Sequence, residues 1–136
     1  MAQETKHATL EWLGGLRFTG GGVNAPKTFV DSDGQSAPGP MVTLLVAAAS
    51  CSATDVVEIL KKKKVDLKSL KVEMAGVRRE EIPRRYLSIH LVWHLAGTGL
   101  DLTKARHAIE LSVEKYCSVM SSLAPDIKIT NEIHVG

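Results

Sequence analysis

Polar and apolar positions along this chain change period several times, and each change marks an element. YLSIHLVWHLAG, residues 86 to 97, alternates cleanly, with Leu87, Ile89, Leu91, Trp93 and Leu95 facing one way and Ser88, His90, Val92 and His94 the other. That is the pattern of a strand with one buried side. The stretch from Leu67 to Glu80 alternates as well, Leu70, Val72 and Met74 against Lys71 and Glu73, and Glu81-Ile82-Pro83 interrupts it. These two runs are expected to pair antiparallel with a common apolar face. Nearer the N-terminus, ATLEWL (8–13), the glycine-rich GGLRFTGGG and the short KTFV predict a hairpin and a further extended piece, and IKITNEIHV predicts a last strand at the end of the chain.

Two longer segments carry the helical period. DSDGQSAPGP is a loop, and after it no Pro or Gly intervenes from Met41 to Lys64, with Pro40 placed for a first helical turn. Leu44, Leu45, Ala47, Ala48, Ala49 and Cys51 leave almost no polar face in the first half, which should therefore be buried on nearly all sides. The second half sets Val56, Val57, Ile59 and Leu60 against Asp55, Glu58 and lysines. After GTGLD, a second helix is expected over about 102–123, with Asp101 or Thr103 as N-cap and Pro125 ending it. Leu102, Ala105, Ile109, Val113, Tyr116, Met120 and Leu123 give it one core-facing stripe. The order indicates an α+β domain of helices packed on an antiparallel sheet. One sheet and one other helix leave part of the first helix uncovered, so a partner subunit is expected.

Composition changes this picture little. The 136 residues suit one domain, 1–136, and are 44% hydrophobic, 24% charged and only 4% aromatic, so the core is aliphatic and alanine-rich. A net charge of +2 is too small to argue for nucleic acid. The basic run Lys61 to Lys64 falls where a helix ends and complements its dipole. No apolar stretch of signal-peptide length opens the chain, and no segment reaches the ~20 uninterrupted apolar residues that span a bilayer. The expectation is a cytoplasmic protein without membrane partners.

The candidate chemistry lies in two cysteines. Cys51 sits in VAAASCSATDV and Cys117 in VEKYCSVMSS, each expected inside a long helix and flanked by small residues that allow close approach. Packing as small hydrophobes is one reading. The other is a thiol pair in which one thiolate attacks a weak O–O bond, becomes a sulfenic acid and condenses with its neighbour. That chemistry asks for Cα atoms within about 7 Å and a cation or donor that favours the thiolate; Asp55, one turn after Cys51, works against it. Neither cysteine has a CxxC or CxxH neighbour for zinc. His90 and His94 on a strand stand about 13 Å apart and cannot share an ion, and His7, His107 and His134 are isolated in sequence.

The stretch from Pro40 to Cys51, P-x3-LLVAAASC, together with AIELSVEKYCSV around Cys117, resembles the OsmC/Ohr family of osmotically inducible and organic hydroperoxide resistance proteins, over essentially the whole chain. The resemblance implies an intertwined α+β homodimer with an antiparallel sheet and two buried long helices. It also implies a peroxidase of oxidative or osmotic stress defence, using Cys51 as nucleophile and Cys117 as resolving thiol. The substrate would be an organic hydroperoxide and the reductant a dithiol, with no metal, flavin or other cofactor. Peroxidase members pair an Arg with a Glu directly after the helix-opening proline. Here Met41 holds the Glu position, and Arg17 is the one arginine before Cys51 that could steady a thiolate. The chain thus looks closer to the divergent OsmC-like branch. The rival implied by the missing Glu is a non-enzymatic dimer that senses redox state or holds an apolar ligand.

Overall fold

The computed structural model describes residues 2–136, in two compact units that meet within the first long helix, one ending at Leu44 and the other running from Leu45 to Gly136. In the first unit, β1 (Ala8–Gly14), β2 (Arg17–Gly22) and β3 (Lys27–Asp31) form an antiparallel sheet in that order. Gly14 and Gly15 turn the first hairpin with φ of +103° and +58°, which side chains rarely tolerate. Leu10 and Trp12, two residues apart on β1, are both about two-thirds exposed. The following loop is organised by buried Asp31, whose carboxylate accepts from the Asp33 and Ser36 N–H groups at 3.0 Å and from Ser36 Oγ at 2.8 Å. Those bonds, Ser36 foremost, hold its carboxyl below the usual range.

α1 (Pro40–Lys62) follows, starting at the proline as expected. It ends where Lys64 adopts φ +62° and the Val65 N–H returns to Leu60 O at 3.0 Å, a left-handed closure of the last turn with Lys61 and Lys62 at the negative pole. In the second unit β4 (Asp66–Arg78) and β5 (Tyr86–Thr98) make the expected antiparallel hairpin, and β6 (Lys128–Val135) completes the sheet. The sheet is not antiparallel throughout. β6 runs parallel to β5, from Ser88 opposite Lys128 to Leu95 opposite Val135. The reason is the connection: the chain crosses back through a helical segment that lies against β6, which brings the next strand in the same direction.

Leu91, Trp93 and Leu95 on β5, with Ile89, are buried as the alternation requires, while Leu87 remains 43% exposed at the end of the row. They share the core with Val56 and Leu60 of α1 and with Ala105, Ala108 and Ile109. Trp93 satisfies its indole N–H on Asn131 Oδ1 of β6 at 2.8 Å. The opposite face is wet and ordered by pairs. His94 meets Glu73 at 2.9 Å, His90 meets Thr130 at 2.7 Å, and His134, isolated in sequence, bonds Glu132 and stacks on His94 at 5.3 Å between ring centres. Parallel pairing of β5 and β6 sets His134 opposite His94. Among the described residues no group of three or more His, Cys, Asp or Glu is arranged to hold a metal ion.

Two helical expectations change. The first half of α1 is not buried on all sides: Leu45, Ala48, Ala49 and Ser52 face inward, whereas Val42 and Val46, and Val57 further on, are about half exposed. By length and average composition α1 would suffice for a bilayer span, a test that a core helix of a soluble protein also passes, although no uninterrupted apolar run in it approaches ~20 residues. Ser50, Ser52 and Thr54 break the run without lowering the average much. The second helix is not continuous either: α2 (Leu102–Leu111), N-capped by the Asp101 carboxylate on the Lys104 N–H at 2.8 Å, widens into a π turn over Ser112–Tyr116, stops at Cys117 and resumes as α3 (Ser118–Ser122). The stripe accordingly shifts to Ala105, Ala108, Ile109 and Ser112, leaving Leu102 and Tyr116 exposed.

Gly76 on β4 lies under the ring of buried Tyr86, in the space where a Cβ would stand. Gly76→Ala should therefore destabilise the protein by about 1–3 kcal/mol through overpacking, read as a lower urea midpoint with unchanged slope.

Candidate active site

Two segments of the second unit build the site. Cys51 lies mid-way along α1 and is half-buried; Cys117 is 3% exposed, at the break between α2 and α3. The break presents the thiol. Cys117 is extended (φ −73°, ψ 102°), its N–H closes the π turn on Ser112 O at 2.8 Å, and its sulfur accepts the Met120 N–H at 3.4 Å. Its S–H points toward Ala48 O of α1, 3.9 Å away and one turn before Cys51. Cys51 is its neighbour on α1, close enough to act on its titration.

Beside the thiols lies a polar connection that periodicity did not reveal. Ser52 on α1 and Ser112, the first residue of the π turn, are both fully buried, with their hydroxyls 3.0 Å apart. Ser112 Oγ is also 2.7 Å from Asp55 Oδ2 and 3.2 Å from Ser52 O, able to donate to either. Buried hydroxyls require such partners. The sequence signal was available: Ser112 falls seven residues after Ala105 and three after Ile109, on the core stripe, where a serine is out of place unless bonded. Asp55 also lines a cavity of about 600 Å³ with Glu58, Lys62, Lys63, Leu111 and Tyr116.

Burial pushes the Cys117 thiol up to about 11, the neighbouring Cys51 and the Asp55 carboxylate add to the rise, and the Met120 N–H opposes it. The concern about Asp55 therefore applies to the second cysteine. At neutral pH Cys117 is a thiol that donates a hydrogen, and Cys51 is the more accessible sulfur. Arg17 stands on β2 of the first unit, exposed, with Nη2 donating to Leu13 O at 3.2 Å. Met41 occupies the first turn of α1.

The family model of OsmC-like proteins matches residues 32–132, a span containing both cysteines and the serine pair. The chain belongs to the OsmC-like family. Among OsmC-like relatives, protein YhfA of Escherichia coli (strain K12) is 40% identical over 131 residues, covering 94% of this chain and 96% of that protein. A crystal structure of a hypothetical protein from Aquifex aeolicus VF5 superimposes with a TM-score of 0.84 at 32% identity, over 98% of this chain and 99% of that one. An organic hydroperoxide resistance protein OsmC from Legionella pneumophila gives a TM-score of 0.67 at 14% identity, over 98% of each chain, and shares the fold. The expected OsmC-like α+β fold is thus found.

The unequal thiols of this OsmC-like chain should alkylate in order. Iodoacetamide at pH 8 should label Cys51 and spare Cys117, whose labelling should rise only as pH approaches 11; peptide mass mapping across pH reads both.

Proposed function

We propose that this OsmC-like protein is a thiol-dependent peroxidase that reduces organic hydroperoxides to alcohols. The observation that carries the reading is the placement of a buried Cys117, its S–H directed at Ala48 O, one turn from the half-exposed Cys51 on α1. The thiolate of Cys51 attacks the terminal peroxide oxygen: an S–O bond forms, the O–O bond breaks, and the alkoxide leaves and is protonated to the alcohol. Cys117 sulfur then attacks the Cys51 sulfenic sulfur, forming S–S as S–O breaks, and its proton leaves with the hydroxide as water. A dithiol reductant returns both thiols. Arg17 is assigned the steadying of the Cys51 thiolate, and the small residues around both cysteines leave room for an alkyl group.

The working form is a homodimer. Its support is the uncovered apolar surface of the single chain: Val42, Val46 and Val57 along α1, and Leu10 and Trp12 on β1. A ligand-holding or redox-sensing dimer without turnover is favoured by Met41 and by the carboxylate of Asp55 beside the thiols.

Adding one equivalent of an alkyl hydroperoxide to the reduced protein should remove both alkylatable thiols and two mass units, faster than hydrogen peroxide does. Cys51→Ser should abolish consumption of the peroxide. Thiols that stay free would instead favour the ligand-holding dimer. Sedimentation at micromolar concentration should give twice the chain mass, and Val46→Asp, which places charge on the outward stripe, should shift it toward the monomer.

A further inference from the structure

Nothing in the two-cysteine cycle accounts for the buried Ser52–Ser112 pair or for the carboxylate attached to it. Ser112 is the first residue of the π turn and supplies the carbonyl that receives the Cys117 N–H at 2.8 Å. Its hydroxyl, 2.7 Å from Asp55 and 3.0 Å from Ser52, is tied to the helix that bears Cys51. One serine thus connects α1 to the backbone that places the second sulfur. The bond to a carboxylate is the stronger kind, and its donor, like the neighbouring Ser52, is fully buried.

We propose that Asp55 is a positioning residue for Cys117: through Ser112 it fastens the π turn to α1 and sets where the second thiol stands opposite Cys51. The proposal rests on the two-thiol reading of the site but not on the oxidant being a peroxide. Two effects follow from one carboxylate. It holds the turn in place, and its negative charge adds a little to the burial that disfavours the Cys117 thiolate. The titratable groups that face Cys117 are Cys51 and Asp55, both on α1. Around Asp55 itself stand Glu58, Lys62 and Lys63 of α1 and Tyr116 of the π turn, which line the same cavity and give the carboxylate access to solvent.

The test separates charge from attachment. Disulfide closure is driven with diamide, whose N=N bond is reduced to a hydrazine by the two thiol hydrogens as the sulfurs join, and the rate is followed by quenched alkylation and intact mass from about pH 8 to 12. Asp55→Asn keeps an acceptor for Ser112 and removes the charge, so closure should keep the wild-type rate with its profile moved slightly toward acid. Ser112→Ala keeps the charge and removes the attachment, so its rate should fall about tenfold across the range without a shift, the scale of a lost charge-assisted bond. Asp55→Glu should restore the wild-type midpoint. Circular dichroism verifies the fold, and if Ser112→Ala does not fold, Asp55→Ala, which removes the same attachment, carries the test. Wild-type closure rates in a folded Ser112→Ala or Asp55→Ala protein would overturn the proposal. Closure by diamide with the predicted fall in rate, in a protein inert to hydroperoxide, would sink the peroxidase reading and leave the proposal standing.

Discussion

The second unit depends on one buried contact, the meeting of Ser52 and Ser112 between two helices that are otherwise aliphatic on their inner faces. Apolar surfaces attract without choosing a register, and a row of alanines such as Ala48, Ala49 and Ala105 offers little shape to fix one. A hydroxyl pair is different, because a slip of one residue would leave both groups buried without a partner, at a cost of about 1–3 kcal/mol each. The register of the two helices is therefore held by polarity placed inside an apolar seam. The location of each thiol follows from that register: Cys51 is the residue before Ser52, and Cys117 is the residue that the Ser112 carbonyl holds.

The same contact explains the break in the second helix. A π turn has poorer hydrogen-bond geometry than an α turn and is uncommon without compensation. Here the compensation is tertiary: Ser112 gains Asp55 and Ser52, Cys117 gains Ala48 O, and the Met120 N–H finds the sulfur. The interruption exposes Tyr116 and leaves the thiol pointing across the seam.

What the sequence made legible follows from which forces act locally. Alternation marked β4 and β5 as an antiparallel pair and identified Ile89, Leu91, Trp93 and Leu95 as core, because strand burial is written every second residue. Pro40, Asp101 and the lysine run marked helix ends through local bonds and dipoles. The parallel pairing of β6 was not legible, since KITNEIHV reads the same in either direction and the crossover decides. Nor was the break at Cys117, where VEKYCSVM contains neither Gly nor Pro and the stabilising partners lie some sixty residues upstream. The two cysteines were legible as candidates by their neighbours. Their unequal burial was not, because it depends on that same break. For Arg17, the sequence supplied position and charge, and the structure adds its bond to Leu13 O.

Placing Cys117 against α1 joins positions 51 and 117 of the chain, 66 residues apart. Closing a flexible loop of that length costs about 4 kcal/mol of chain entropy, which the aliphatic core and the serine pair must offset before the sulfurs meet at all. In an unfolded chain the two thiols encounter one another rarely and behave as unrelated cysteines. The encounter is thus a property of the folded state, with no counterpart in either helix taken alone. A fluctuation that lifts the π turn from α1 separates the sulfurs while both helices remain intact, so the site has a lower opening threshold than the fold that carries it.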